Sequence, residues 1–163
     1  MNKCDILARA LLLAQGFKYR KRGWYRSTVD FVQIINFQKS SWGDVYYVNI
    51  GENFLLNQSS SKKEYPPEYA FRLRGRANRL NIKEELFDCL DFEKPLAIEE
   101  RERDFCLILM ECIAFLDRIS TLNGARQEYI QSSIFKGFSI QPDFLSLLWK
   151  GSIPGIDSKD GMV

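Results

Sequence analysis

The first fifteen residues carry apolar side chains at helical spacing. The residues that would share one side of such a helix are Ile6, Leu7, Ala10, Leu11 and Ala14. Gly16 follows at the position where a glycine commonly ends a helix. The pattern therefore predicts a helix over residues 3–15.

From residue 17 to residue 75 the apolar positions change to the alternation that is typical of strands. Strands are predicted over residues 17–20, 24–26, 29–40, 45–51 and 69–74. Most links between them are short, which favours an antiparallel meander of four to five strands. The exception is the link over 52–68, where the polar run Asn57–Lys63 predicts a loop.

The segment 29–40 is apolar on both sides over part of its length. Phe31 and Ile35 fall on one face of such a strand, and Val32 and Ile34 fall on the other. A strand of this kind is usually covered on both faces. We therefore expect it to be a central strand of the sheet.

After residue 82 the apolar period is helical again. Helices are predicted over residues 82–92, 98–121, 125–135 and 142–149, with Asn123-Gly124 ending the long one. Strands followed by helices indicate an α+β fold. It would comprise an N-terminal helix, a four- to five-stranded, mainly antiparallel sheet over residues 17–75, and a helical C-terminal half packed on the sheet. Residues 1–151 are expected to form a single domain and residues 152–163 a flexible tail.

Composition narrows the chemistry that the chain can perform. None of its 163 residues is histidine, which is the commonest general base and metal ligand. Its four cysteines include no Cys-x-x-Cys pair, and the N-terminus does not resemble a signal peptide. We therefore expect reduced thiols, a cytoplasmic location, no metal, no cofactor and no catalytic residue of a standard type, so the chain is more readily a binding protein than an enzyme. The longest apolar stretch, Phe105–Leu116, is too short for a bilayer, which takes about 20 residues.

The charges are distributed unevenly along the chain. Residues 1–80 hold 14 Lys/Arg and 6 Asp/Glu, a net charge of +8, whereas residues 81–163 hold 9 and 15, a net charge of −6. Such an asymmetry indicates either two halves that pair with each other or a field directed at a charged partner.

Three arginines alternate along the last predicted strand. Arg72, Arg74 and Arg76 would project from one face of it, with Phe71 and Leu73 on the other face. Guanidinium groups hold carboxylates and phosphates in bidentate geometry, so this row is a candidate binding surface. The alternative is that the arginines pair with the acidic C-terminal half.

The segment from Phe17 to Arg26 combines five cations with four aromatic residues. Lys18 and Arg20 would share one strand face, with Phe17 and Tyr19 on the other. Such a hairpin could contact phosphates and stack on bases. It could equally be an edge hairpin whose rings enter the core and whose cations prevent edge-to-edge pairing.

The amide side chains of Asn36 and Gln38 lie inside one predicted strand and that of Asn49 lies inside the next. Strands disfavour asparagine. A strand that carries one therefore uses it for a backbone hydrogen bond or for a ligand.

Several sequence blocks occur in a recognisable order after the first helix. They are Gly16-Phe17-Lys18, Gly23-Trp24-Tyr25-Arg26, Val32-Gln33-Ile34-Ile35-Asn36-Phe37-Gln38-Lys39-Ser40 with Trp42 following, Tyr47-Val48-Asn49-Ile50-Gly51 and Phe71-Arg72-Leu73-Arg74. In this order the chain resembles the bacterial family catalogued as domain of unknown function 4304, best over residues 5–80. The resemblance implies a small intracellular α+β protein without an assigned activity. It also directs attention to seven residues that fall inside its blocks, namely Gln38, Lys39, Ser40, Asn49, Gly51, Arg72 and Arg74.

These observations support three hypotheses. The first is a non-enzymatic module that binds an acidic surface of another protein through Arg72, Arg74 and Arg76, helped by Lys18 and Arg20. By analogy of size and style, such a module could resemble the immunity proteins of bacterial toxin systems. The second is nucleic-acid binding through the hairpin over 17–26, and the third is a carboxylate- or lysine-based enzyme on the Asn/Gln/Arg face.

Overall fold

The computed structural model describes residues 1–54 and 71–150. Its α-helices are α1 (Lys3–Ala14), α2 (Ile98–Arg118), α3 (Leu122–Gln131) and α4 (Pro142–Lys150). Its strands are β1 (Lys18–Arg20), β2 (Gly23–Ser27), β3 (Phe31–Lys39), β4 (Tyr46–Phe54), β5 (Leu73–Arg76) and β6 (Ser139–Ile140). Short 3₁₀ helices cover Ala77–Arg79, Glu84–Leu90 and Ile134–Gly137. The predicted loop Asn57–Lys63 and the predicted tail lie outside the described residues.

The strands form one antiparallel sheet in which the order in space is the order in the chain, from β1 to β6. The predicted α+β fold, with a first helix, an antiparallel meander and later helices, is confirmed. The sheet has six strands rather than four or five because Ser139–Ile140 pairs with β5. Two residues are too few to show an alternation, so this edge strand is recognisable only in the fold.

The inner face of the sheet carries the main hydrophobic core. Trp24, Ile35, Ile50 and Leu73 lie on this face in four neighbouring strands and are buried in one cluster with residues of α1 and α2. Phe105 of α2 packs against Phe37, with ring centroids 5.5 Å apart. Each buried side chain of this size contributes roughly 1.5–3 kcal/mol, so this interface holds the helices on one side of the sheet.

The outer face carries a second, smaller buried cluster. It consists of Tyr25, Val32, Ile34 and Phe71. This confirms β3 as a central strand with buried side chains on both faces. The placement of Phe71 beside Leu73 was wrong, because β5 begins only at Leu73 and the alternation does not extend to the residues before it.

Helix α1 is tied to the first hairpin by a buried carboxylate. Asn2 and Asp5 form a reciprocal capping box at the start of the helix. Asp5 also accepts hydrogen bonds from Trp24 Nε1 at 3.0 Å and from the Tyr19 hydroxyl at 3.3 Å. The same side chain therefore begins the helix and fixes its position on β1 and β2.

A buried polar pair joins the sheet to α2. Gln33 Nε2 donates to Glu52 Oε1 at 2.8 Å and to the Leu116 carbonyl at 2.5 Å. Both side chains are fully buried. Burial raises the pKa of Glu52 well above its ordinary value, and the hydrogen bond from Gln33 offsets this only in part.

Two of the helix predictions are wrong, one in its boundary and one in the type of helix. Asn123 and Gly124 lie in the first turn of α3 rather than ending α2, because the Thr121 side chain accepts a hydrogen bond from the Gly124 N–H and caps the new helix. The helix predicted over 82–92 is instead the 3₁₀ helix Glu84–Leu90.

Candidate functional site

The predicted row of three arginines divides in the structure. Pairing with β4 places Arg74 opposite Gly51 and Arg76 opposite Asn49, so both lie on the outer face of the sheet. Arg72 precedes the strand, and its guanidinium forms an ion pair with Asp143 of α4 at 3.0 Å. Arg72 is thus engaged by the acidic C-terminal half, as the alternative interpretation expected. Arg74 and Arg76 both belong to β5 and lie on the outer face of the sheet.

A polar depression of about 450 Å³ lies on the outer face beside β5. It is lined by Gln38, Asn49, Arg74, Gly75, Arg76, Arg79, Gly137 and Ser139. The antiparallel pairing of β3, β4 and β5 thus brings together four predicted site residues from three separate segments of the chain. The described lining includes three arginines and no carboxylate.

Arg76 is held in place by an aromatic ring. Its guanidinium lies over the Tyr47 ring, 4.2 Å from the centroid, in a cation–π contact. The side chain is nevertheless exposed. No carboxylate of residues 1–54 and 71–150 lies within ion-pair distance of Arg76.

Arg79 enters the depression from outside the predicted strand. It ends the 3₁₀ helix Ala77–Arg79, which directly follows β5, and it lines the same depression as Arg76. Its stem passes close to Gly137, where an added Cβ would stand 3.0–3.1 Å from Arg79 carbons. Within the described part of the chain Arg79 has no ion-pair partner. Its only signal in the sequence is the three-residue spacing from Arg76.

Gly75 allows the ring of Phe138 to pack directly against β5. A Cβ on Gly75 would stand 2.6 Å from the Phe138 ring. Phe138 directly precedes Ser139 of β6, so the absence of a side chain at Gly75 lets this segment pack against β5. Ser139 and Gly137 were not predicted, since nothing in the local sequence indicates that this segment returns to the sheet.

The amide side chains form one hydrogen-bonded group beside the arginines. Asn49 is only 4% exposed, and its Nδ2 donates to Gln38 Oε1 at 3.1 Å and to Asn36 Oδ1 at 3.5 Å. The Gln38 amide oxygen is therefore occupied, and its Nε2 is the remaining polar group. The buried asparagine in β4 thus orients a neighbouring donor at the rim of the depression.

Lys39 and Ser40 do not belong to the depression. Lys39 Nζ forms an ion pair with Asp44 Oδ1 at 3.1 Å, and Lys3 contacts the other carboxylate oxygen. These two partners hold the pKa of Asp44 below its ordinary value. Ser40 forms hydrogen bonds inside the turn between β3 and β4. Its N–H donates to the Val45 carbonyl, and its Oγ accepts from the Trp42 N–H.

Lys18 and Arg20 share the outer face with the depression but lie at the opposite edge of the sheet. Strand β1 is separated from β5 by four strand spacings, which amounts to about 19 Å at about 4.8 Å each. They therefore form a separate basic region and do not complete the arginine site.

Three of the four aromatic side chains of the basic hairpin are buried, two in the main core and one in the outer-face cluster. Phe17, Trp24 and Tyr25 are buried. Lys18, Arg20, Lys21 and Arg22 are exposed. The hairpin matches the edge-hairpin alternative, because these three buried rings have no surface on which a base could stack.

Two further features, a group of metal ligands and a membrane-spanning helix, are absent from the described residues. In residues 1–54 and 71–150 there is no group of three histidine, cysteine or acidic side chains placed to hold a metal ion. Over the same ranges, no helix combines the length and the hydropathy needed to cross a bilayer.

Comparisons with known proteins give one result. No curated protein and no solved structure matches the chain significantly. A family described as "Domain of unknown function (DUF4304)" matches residues 8–113, from α1 through most of α2. The match extends beyond the best-resembling region 5–80, and it includes Gln38, Asn49, Arg76 and Arg79 but not Ser139. Since it covers more than half of the 163 residues, the chain belongs to the DUF4304 family.

Proposed function

We propose that this protein is a non-enzymatic binding module that captures an acidic surface of another protein in the depression beside β5. The observation that carries the proposal is the pair of guanidinium groups on Arg76 and Arg79. Both line one depression, and neither meets a carboxylate within the described residues.

Arg72 shows what such an arginine does when the fold supplies its counter-charge. It pairs with Asp143 at the surface, where both side chains remain partly exposed. Arg76 and Arg79 have the same chemistry but no such partner in residues 1–54 and 71–150, so an external carboxylate or other anion can take the position. Charge complementarity of this kind raises the association rate and selects among partners more than it adds to affinity.

The lining residues favour binding over catalysis. Lysine, cysteine and carboxylate groups, which could carry a proton or attack a substrate in a chain without histidine, are absent from the described lining. The depression instead offers guanidinium, amide and hydroxyl donors. This set is suited to holding an anionic group in place.

Affinity capture with matched variants tests the proposal. Tagged wild-type protein, Arg76→Ala/Arg79→Ala and Lys18→Ala/Arg20→Ala are each exposed to extract of the source cells, and bound proteins are quantified by mass spectrometry. We expect the first variant to recover the specific partner at least about tenfold less well, because each charge-assisted hydrogen bond contributes roughly 1.5–3 kcal/mol. The second variant loses the same charge from the same sheet face and should recover it as wild type does.

The outcomes separate the proposal from its alternatives. Equal recovery by wild type and Arg76→Ala/Arg79→Ala would remove the depression as a docking site. An equal loss in both variants would indicate attraction by general positive charge. A loss of nucleic acid from the bound fraction that is confined to Lys18→Ala/Arg20→Ala would favour the hairpin hypothesis, which the exposed cations of that hairpin still permit.

A further inference from the structure

We infer that the acidic group recognised in the depression is a phosphoryl monoester on the partner protein, such as a phosphoserine or phosphothreonine side chain. This inference rests on the proposed function and specifies the chemistry that the same site prefers. It is carried by the charge, the immobilisation and the number of the donors that line the depression.

The charge of the site matches a phosphoryl group better than a carboxylate. Arg76 and Arg79 supply two positive charges without an internal counter-charge in the described residues. A phosphorylated side chain carries about −1.5 to −2 at neutral pH and neutralises both, whereas a carboxylate leaves about one positive charge uncompensated. The balance holds without counting Arg74.

The two guanidinium groups are partly immobilised before any ligand arrives. Arg76 lies on the Tyr47 ring, and the stem of Arg79 lies against the backbone at Gly137. An arginine that is already held loses less side-chain entropy when it forms hydrogen bonds. Two planar donors on side chains that are already restricted favour a rigid tetrahedral anion with several equivalent oxygens over a flexible carboxylate chain.

Neutral donors extend the set around the arginines. Ser139 lines the depression with a hydroxyl group, and Gln38 lines it with an amide whose oxygen is already bound by Asn49. The remaining Gln38 Nε2 is a donor only. Two guanidinium groups, one amide and one hydroxyl group present more donors than the two oxygens of a carboxylate require, and they suit the three terminal oxygens of a phosphoryl monoester.

The test uses three defined probes and the two variants introduced above. Binding of a capped Gly-phosphoserine-Gly peptide, a capped Gly-Glu-Gly peptide and inorganic phosphate is measured by NMR titration of the backbone amides of residues 74–79. We expect the phosphoserine peptide to bind at least about tenfold more tightly than the glutamate peptide, a difference equivalent to about 1.4 kcal/mol. Arg76→Ala/Arg79→Ala should abolish the difference, and Lys18→Ala/Arg20→Ala should preserve it. Inorganic phosphate should shift the same amides, since it presents the same oxygens without a peptide.

Equal affinity for the phosphoserine and glutamate peptides would overturn the inference, as would an equal effect of the two variants. These results are distinguishable from failure of the proposed function. If the phosphoserine preference is absent while Arg76→Ala/Arg79→Ala still loses its protein partner, the docking site stands and its ligand is a carboxylate. If that variant keeps its partner, the docking site itself is wrong.

Discussion

At the scale of single residues, the role of an arginine in this protein depends on what its guanidinium meets inside the fold. Arg101 is 5% exposed and donates to the carbonyls of Cys89, Asp91 and Lys94 at 2.6, 2.8 and 2.9 Å. It also lies 4.5 Å from the centroid of the Phe92 ring. Arg101 therefore holds the segment that follows the 3₁₀ helix Glu84–Leu90, whereas Arg76 and Arg79 hold nothing comparable within the described residues.

Replacing Arg101 is expected to destabilise the fold strongly. Arg101→Ala leaves one buried and two part-buried carbonyl groups without their donor, and we expect the free energy of unfolding to fall by about 3 kcal/mol. Urea denaturation measures the change. Arg9→Ala is the matched control, because Arg9 is exposed on α1 and has no ion pair among the described residues, so its removal should change stability by no more than about 0.5 kcal/mol. Similar losses in the two variants would show that Arg101 has no special structural role.

At the scale of elements, periodicity located most helices and strands, whereas boundaries and short elements followed local contacts. The alternation found β1 to β4 because one side of each strand is buried against the helices. It extended β5 too far towards Phe71 and gave no sign of β6. The depression shows the same difference between what the pattern predicts and what packing decides. The strand pattern singled out four lining residues, namely Gln38, Asn49, Arg74 and Arg76. The other side chains and backbone, from Arg79, Gly137 and Ser139, reach the depression only through tertiary packing.

The buried pair of Gln33 in β3 and Glu52 in β4 should make stability depend on pH through the Glu52 carboxyl group. Burial raises the pKa of this carboxyl group above its ordinary value of 4.5, so the folded protein binds a proton more tightly than the unfolded chain does. The contribution to stability is therefore fully present below the ordinary pKa and is lost as the pH rises towards the raised pKa, by up to about 1.4 kcal/mol per pH unit.

Glu52→Gln removes this titration while keeping an oxygen that can accept from Gln33. We expect the free energy of unfolding of the variant, relative to wild type, to increase with pH above 4.5. Denaturation curves at a series of pH values measure the difference, with Glu111→Gln as the control at an exposed position of α2. A constant difference across the series would show that Glu52 is not protonated in the folded protein.

At the scale of the whole molecule, the opposite charges of the two halves are used partly inside the fold and partly on its surface. Arg26 pairs with Asp117 at 2.6 Å and Arg72 pairs with Asp143 at 3.0 Å, so cations of the first half hold carboxylates of the second. In the depression beside β5, Arg76 and Arg79 form no such pair with any carboxylate that the structure describes. Both interpretations of the charge asymmetry therefore apply, each to different residues. Arg26 and Arg72 pair inside the fold, whereas Arg76 and Arg79 can act on a charged partner.

A rise in salt concentration should weaken binding of the partner much more than it lowers the stability of the fold. Raising the salt concentration from 0.1 M to 1 M shortens the Debye length from about 10 Å to about 3 Å, which screens the attraction between an acidic partner and the exposed arginines. We expect slower association and lower recovery at 1 M salt, with the urea midpoint little changed because the core is apolar. Surface plasmon resonance with the captured partner measures the rates. A salt-independent association rate would contradict capture by charge.

The amino-acid sequence by itself determined the fold class, the order of most elements, the absence of histidine chemistry and the presence of arginines and amides on strand positions. These properties follow from periodicity and composition, which act locally. Only the tertiary structure decided which arginine is neutralised and which is presented, because an ion pair such as Arg72–Asp143 joins residues far apart in the chain. The return of Gly137 and Ser139 to the sheet is decided in the same way, since the packing of Phe138 over Gly75 belongs to neither local segment alone.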